Sequence, residues 1–117
     1  MDSHAILSAL KRASIREIDV AGIKVYIRGL TGKERYDFIQ RGKAWKAGDE
    51  SQRITEAELC SWAMCNADGE RIYENADALA DTDGHSLETI AAAILDASGL
   101  SAAAQARAAG ESPASPS

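Results

Sequence analysis

The sequence predicts an α+β protein, mainly α, in which an N-terminal β-hairpin packs on a small bundle of three to four helices. Three observations lead to this fold class. Apolar residues alternate with polar ones along residues 17–28, which is the period of strands. Two helix-start signals of the form Thr-x-x-Glu follow at Thr31 and Thr55. Apolar residues then recur every three to four positions from Leu87 to Leu95, as on a core-facing helix.

The length and composition fit one small domain. The chain has 117 residues, of which 45% are hydrophobic, but only six are aromatic and many are alanine. Such a chain forms a modest core that is rich in close helix contacts. We expect residues 1–13 to form a flexible arm or a short helix, residues 14–108 a single domain, and residues 109–117 a disordered tail, because the ending GESPASPS has no large apolar residue.

The predicted hairpin occupies residues 17–28. Its apolar residues fall on one face of each strand: Ile18 and Val20, then Ile23, Val25 and Ile27. The pair Ala21-Gly22 supplies the turn, because glycine adopts positive φ without steric cost. A lone hairpin is marginal in water, so a helix must cover its apolar face, and the stripe from Leu87 to Leu95 is the predicted partner.

Two helices are predicted after the hairpin, each with a Thr-Glu capping box. The first runs from Gly32 to Lys46, and its apolar residues do not form one stripe, which indicates two faces, one for the core and one for a partner. The second starts at Thr55, whose box partner is Glu58, and runs to Cys65 or Asn66. Apolar residues nearly encircle this second helix, which indicates deep burial or contact on two sides.

The remaining elements are predicted from turn and cap residues. Residues 66–69 (NADG) indicate a tight turn, residues 71–73 a short strand, and residues 76–80 a one-turn helix capped by Asn75. The long final helix begins near Ser86. The sequence Ser98-Gly99-Leu100 ends it as a Schellman motif does, after which Ser101 caps a short alanine-rich helix.

Charge is unevenly distributed along the chain. Residues 1–53 carry eleven of the thirteen Lys and Arg and seven acids, whereas residues 54–117 carry two Arg and eleven acids. The basic cluster on the first predicted helix is interleaved with Glu34 and Asp37, which favours a solvated face, and after that a protein-docking face, over a nucleic-acid surface. We therefore expect no nucleic-acid partner.

The cysteine content indicates a reducing compartment. Cys60 and Cys65 are five positions apart on one predicted helix, where neither a disulfide nor a metal site is natural. We expect two free thiols. The sequence also has no apolar run that we interpret as a signal peptide or a membrane span, so no membrane partner is expected.

No catalytic, metal or cofactor site is predicted. His4 and His85 have no triad-like partners, and the acids around His85 lack the spacing of a calcium loop. Phosphate-binding glycine motifs are absent from the sequence. Aromatic and Met residues dominate protein interfaces, although both tryptophans also suit a core. The predicted partner-binding residues are Tyr36, Phe38, Trp45, Trp62 and Met64.

The order of these elements resembles the tail assembly chaperones of long-tailed bacteriophages (siphophages). In that family an apolar hairpin precedes the pattern R-x-L-[ST]-x-x-E-R, a D-G-x turn stands in the middle, and S-G-L-S closes the last helix. The matching segments here are residues 28–35, Asp68-Gly69 and residues 98–101. The last segment of this chain, AAAQARAAG, has fewer acids than the family pattern.

The resemblance implies a non-enzymatic protein of the host bacterial cytoplasm that binds the phage tape measure protein and helps recruit tail tube protein. It also implies absence from the mature virion and, for many members, a second form made by translational frameshifting. The polarised charge separately predicts weak self-association, because the basic first half of one copy suits the acidic second half of another. Two other functions stay open. One is a head-tail connector or tail-completion protein of the virion, and the other is a small regulatory adaptor, which the acidic second half and the lack of a recognition helix disfavour.

Overall fold

A computed structural model describes residues 2–110, with side chains as far as Arg107. The helices are α1 (Ser3–Ala13), α2 (Gly32–Lys46), α3 (Glu56–Ala63), α4 (Gly84–Ala97) and α5 (Ala102–Gly110). The strands are β1 (Arg16–Val20), β2 (Ile23–Ile27) and β3 (Met64–Cys65), and 3-10 turns occupy Glu50–Gln52 and Ala76–Leu79. The predicted fold class is confirmed, because the chain is mainly helical with an antiparallel sheet near its N-terminus.

The hairpin forms as the alternation of apolar residues predicts. Ile18 pairs with Val25 and Val20 with Ile23, which places the apolar side chains on one face of the sheet. Ala21 and Gly22 have φ values of 52° and 79°. Positive φ at both central residues matches the twist of the flanking strands and belongs to the type I′ turn.

The third strand corrects the prediction for the second half of α3. The helix ends at Ala63 rather than at Cys65 or Asn66, and Met64 and Cys65 pair with β2 instead. The reason is long-range: the carbonyl oxygen of Ala63 accepts a hydrogen bond from the backbone N–H of Arg28 at 3.0 Å, which draws the chain onto the sheet. The two cysteines therefore lie on different elements and not on one helix.

The strand predicted at residues 71–73 is also wrong in extent. Within the described residues this segment has only a single bridge, between Arg71 and Cys65. The one-turn helix predicted next to it is confirmed as the 3-10 turn Ala76–Leu79, where the side chain of Asn75 accepts a hydrogen bond from the N–H of Asp77.

The core lies between the hairpin, α3 and α4. The predicted cover of the hairpin is confirmed, because α4 contacts both β1 and β2 and buries Leu87, Ile90, Ala91 and Ile94. Ile27 and Ile94 are completely buried. Leu95, the last residue of the predicted stripe, is half-buried.

The end of α4 is a complete Schellman motif. The N–H of Leu100 donates to the carbonyl oxygen of Leu95 at 2.8 Å, and that of Gly99 donates to Asp96 at 3.1 Å. Ser101 then caps α5 by accepting from the N–H of Ala104 at 2.9 Å. Helix α5 ends at Gly110, so residues 109 and 110 of the tail predicted for residues 109–117 are helical. The rest of that predicted tail lies outside the described residues.

One stretch is apolar enough to raise the question of a membrane span. Residues 84–107 are long enough to cross a membrane, and their most apolar window of 18 residues has a mean hydropathy of 1.3, although only 22% of that window is buried. The Schellman motif divides this stretch into two helices, and the largest apolar residues of α4 face the core. We therefore interpret α4 as a core helix, whose exposed side carries Glu88, Thr89 and Ala92.

The turn at residues 66–69 is closed by a hydrogen bond from the N–H of Gly69 to the carbonyl oxygen of Asn66. Gly69 is buried and has a φ of 85°. A Cβ atom at this position would lie 2.9 Å from Cδ1 of Ile15, so the turn packs directly against the chain that leads into β1.

We expect Gly69→Ala to lower the free energy of unfolding by about 1–2 kcal/mol, because alanine is strained at positive φ and also displaces Ile15. Urea denaturation followed by circular dichroism measures this loss. Gly22→Ala is the matched control, since Gly22 has a φ of 79° but no atom within 4 Å of its Cβ position. Equal losses in the two variants would show that the contact with Ile15 adds nothing.

Both cysteines are free and buried. Burial, with a smaller contribution from Glu56, raises the pKa of Cys60 to about 12, and burial also raises the pKa of Cys65. Only the thiolate reacts with disulfide reagents, so we expect the folded protein to react about 100-fold more slowly than a free thiol at pH 8. Both thiols should react rapidly in concentrated urea, and rapid reaction without urea would contradict the buried positions.

Candidate binding surface

Helix α2 stands at the side of the domain, and none of its fifteen residues is buried. The capping box predicted at its start is confirmed. The side chain of Thr31 accepts from the N–H of Glu34 at 3.2 Å, and the carboxylate of Glu34 accepts from the N–H of Thr31 at 2.9 Å. A helix with so little buried surface needs other contacts to fix its position.

An arginine at the end of β2 provides the first of these contacts. Arg28 donates two hydrogen bonds to the carboxylate of Glu34, at 2.8 and 3.1 Å, and one to the carbonyl oxygen of Trp62 at 2.7 Å. Its side chain is only 11% exposed. Because one guanidinium binds both α2 and α3, Arg28 fixes the start of α2 against the end of α3.

A second arginine holds the middle of α2. Arg41 binds both carboxylate oxygens of Glu58 at the start of α3, and it also donates to the carbonyl oxygens of Gln52 and Arg53. These contacts correct the capping box predicted for α3. Thr55 accepts from the N–H of Glu58 as predicted, but the carboxylate of Glu58 turns to Arg41 instead of back to Thr55.

The segment between β2 and α2 is also tied to the end of α4. The N–H of Leu30 donates to the hydroxyl of Ser98 at 2.9 Å, and a Cβ atom at Gly29 would lie 3.1 Å from the carbonyl oxygen of Ala97. Two of the short motifs singled out in the sequence, residues 28–35 and residues 98–101, therefore meet in the folded chain.

Asp96 reinforces this junction. Its carboxylate accepts hydrogen bonds from Arg16 of β1, from Arg107 of α5 and from Ser101, each at 2.8–2.9 Å. The hydrogen bond from Arg16, followed by those from Arg107 and Ser101, holds the pKa of Asp96 well below its usual range. The carboxylate is therefore charged over the whole physiological pH range.

Two open grooves flank the exposed helix. The first has a volume of about 510 Å³ and is lined by Tyr36 and Trp62, together with Thr31, Lys33, Glu34, Asp37 and Arg71. Tyr36 is 67% exposed, and Trp62 is half-buried. The groove thus has an aromatic centre, formed by Tyr36 and Trp62, and a polar rim whose side chains carry charges of both signs.

The second groove, of about 350 Å³, brings together Phe38 and Trp45, seven residues apart and on one side of α2. Trp45 is 40% exposed, whereas Phe38 is half-buried and packs against the core. Lys46, Arg53 and Glu56 supply charged groups at its edge. One face of this helix was predicted to meet the core and the other a partner. In the structure Phe38 packs against the core without being buried, and both faces border open grooves.

The five predicted partner-binding residues are not one patch. Tyr36 and Trp62 share the first groove, and Phe38 and Trp45 share the second. Met64 is only 7% exposed and lies in the core of the domain, on β3. Met64 is therefore not part of the candidate surface. The other four predicted residues lie in two grooves, one on each side of α2.

No protein-family model, curated protein sequence or solved structure matches this chain. Among the residues that the structure describes, no three His, Cys, Asp or Glu side chains lie close enough together to hold a metal ion. Function must therefore be argued from the surface itself.

The arginine contacts were not predicted from the sequence. Arg28 and Glu34 are six positions apart, and Arg41 and Glu58 seventeen, so no helical or strand spacing connects them. The usable signal was that Arg28 and Glu34 are both fixed positions of the pattern R-x-L-[ST]-x-x-E-R. Two opposite charges in one short motif indicate an ion pair.

Proposed function

We propose that this chain is a phage tail assembly chaperone that binds the tape measure protein in the host cytoplasm and helps recruit tail tube protein. The observation that carries the proposal is α2, a fifteen-residue helix without a buried residue that has an aromatic-lined groove on each side. A helix that contributes so little to the core is suited to contact a partner.

The contacts that hold α2 support the same proposal. Arg28 binds Glu34 of α2, and Arg41 of α2 binds Glu58 of α3, through two-pronged ion pairs whose side chains are between 11% and 29% exposed. Such pairs fix orientation more than they add free energy. The helix is thereby presented as a rigid element, and a rigid surface loses less conformational entropy when a partner binds.

The chemistry of the grooves favours a helical partner. Each groove offers an apolar centre and charged edges, which is how amphipathic helices are recognised. The resemblance to tail assembly chaperones supplies the partner, since a tape measure protein is long and largely helical with exposed apolar seams. Many weak contacts along such a rod give avidity without one tight site. Weak binding at each contact also allows the chaperone to leave before the virion is complete.

Co-expression with the tape measure protein of the same phage tests the proposal. The chain should keep the tape measure protein soluble and co-purify with it, whereas the double variant Tyr36→Ser/Trp45→Ser should lose most of this effect. Ile23→Ser is the control, because Ile23 is 66% exposed but lies at the hairpin tip. Retention of binding in the double variant would exclude α2 as the binding surface.

Mass spectrometry of purified virions separates this proposal from its main alternative. A chaperone should be absent from the finished particle. A head-tail connector or tail-completion protein would be present at a small fixed copy number, and that result would overturn the chaperone proposal.

A further inference from the structure

The first groove beside α2 has the side chains that bind extended, proline-rich segments. Tyr36 lines it from α2 and is 67% exposed, and the half-buried Trp62 lines it from α3. Proline-rich segments dock into grooves lined by aromatic rings, because their polyproline II conformation is stiff and loses little entropy on binding. Lys33 and Arg71 line the same groove and offer N–H donors to the backbone carbonyl oxygens of such a segment.

The backbone under this aromatic pair is fixed on two sides. Arg28 donates a hydrogen bond to the carbonyl oxygen of Trp62 at 2.7 Å, and Arg71 donates one to the carbonyl oxygen of Ser61 at 2.7 Å. Because the groove is already formed, a weakly binding segment has less conformational entropy to offset.

The chain contains one segment of matching chemistry. Both of its prolines, Pro113 and Pro116, lie within residues 111–117 and stand three positions apart. A polyproline II helix has three residues per turn, so prolines at this spacing fall on one side of it, about 9 Å apart. The residues between them are Ala and Ser, which are too small to hold the proline rings away from a groove.

Helix α5, which precedes this segment, is anchored next to the groove. Arg107 of α5 donates to Asp96 at the end of α4 at 2.9 Å. The same end of α4 holds the start of α2, since the N–H of Leu30 donates to the hydroxyl of Ser98 at 2.9 Å. The next residue, Thr31, already lines the groove.

The length of the segment selects the first groove over the second. Seven residues in a polyproline II conformation cover roughly 22 Å, which is about the length of α2 itself. The first groove begins at Thr31, at the near end of this helix, whereas the second is lined by Phe38 and Trp45 farther along it. Phe38 is also half-buried, so the second groove offers less aromatic surface.

We propose that residues 111–117 dock into the first groove of their own chain. The rings of Pro113 and Pro116 then pack against Tyr36 and Trp62. The chain thereby covers one of its own two aromatic grooves.

The docked segment regulates the groove by competition. A short tether gives an effective concentration on the order of 1 mM, so a segment with a dissociation constant of about 1 mM occupies the groove about half of the time. Removing it should tighten binding of a tape measure protein about twofold in a direct titration. Only this consequence rests on the proposed function. The docking itself is measured without a partner, so the two can fail separately.

NMR spectroscopy of the full chain labelled with nitrogen-15 tests the docking. The double variant Pro113→Ala/Pro116→Ala should move the signals of the Trp62 indole N–H and of the Tyr36 amide, because both residues lose a ring contact. A free peptide of residues 111–117, added to this variant at about 5 mM, should move both signals most of the way back.

Ser112→Ala/Ser115→Ala is the matched control, because it changes the same segment at two positions and keeps both prolines. It should leave the two signals in place. Three results would overturn the proposal: a Trp62 signal that is identical in wild type and in the proline variant, changes that are as large at Trp45 in the second groove, or changes that grow with protein concentration, which would place the segment in another copy.

Discussion

Arg28→Met should lower the free energy of unfolding by about 3–4 kcal/mol, the largest loss expected from any single polar substitution in this chain. Methionine fills much of the same space but donates no hydrogen bond. The carboxylate of Glu34 and the carbonyl oxygen of Trp62 would then lose their donor in a place that is mostly shielded from water. Urea denaturation monitored by circular dichroism measures the loss.

Arg35→Met is the matched control for this change. Arg35 belongs to the same sequence motif, but it is exposed, and its side chain makes no hydrogen bond or ion pair among the described residues. Its replacement should change stability by no more than about 0.5 kcal/mol. Similar losses in the free energy of unfolding for the two variants would mean that stability depends on total positive charge and not on the contacts of Arg28.

The pH dependence of the Arg28 effect follows from Glu34. Burial acts to raise the pKa of Glu34, but hydrogen bonds from Arg28 and Thr31 outweigh it, and the pKa in the folded chain is below 4.5. The ion pair therefore contributes its full stability above about pH 4.5 and loses it as the pH falls through the lower folded value. The difference in stability between wild type and Arg28→Met should accordingly shrink between pH 7 and pH 3.

Local patterns predicted most of the individual elements. The hairpin, the box at Thr31, the stripe on α4 and the Schellman motif at Gly99 depend on residues within a few positions of one another. Each was predicted because a short window of sequence contains all the groups that stabilise it.

Long-range contacts account for the errors. Met64 and Cys65 continue the apolar pattern of α3, yet they form a strand because β2 offers free hydrogen-bonding groups to that part of the chain. Glu58 completes a capping box in sequence, but Arg41 competes successfully for its carboxylate. No short window of the sequence contains both of the groups that compete for the same partner. The outcome of the competition could therefore not be predicted from local sequence.

The same limit applies to the candidate surface. The sequence correctly indicated that Tyr36 lies on a different side of α2 from Phe38 and Trp45. It did not indicate that α2 lies outside the core. Tyr36, Phe38 and Trp45 are all aromatic, and the sequence does not reveal how their exposure differs. Exposure depends on where α3 and the 3-10 turn at residues 50–52 pass the helix.

Ile27→Ala should cost about 3–4 kcal/mol, because the position combines complete burial with a central place in the sheet. Ile27 pairs with Arg16 on β1 and with Met64 on β3, and it lies in the core together with Ile94 of α4. The removed methyl and methylene groups leave a cavity that the neighbouring strands on both sides prevent from closing. Thermal or urea unfolding gives the magnitude.

Ile23→Ala provides the comparison that isolates burial. Ile23 is the same residue type on the same face of the same strand, but it is 66% exposed at the hairpin tip. Its truncation should cost less than about 1 kcal/mol. The difference between the two losses measures the burial that α4 and the neighbouring strands together give Ile27. Equal losses would mean that the hairpin does not pack on α4, and the whole arrangement of the core would then have to be abandoned.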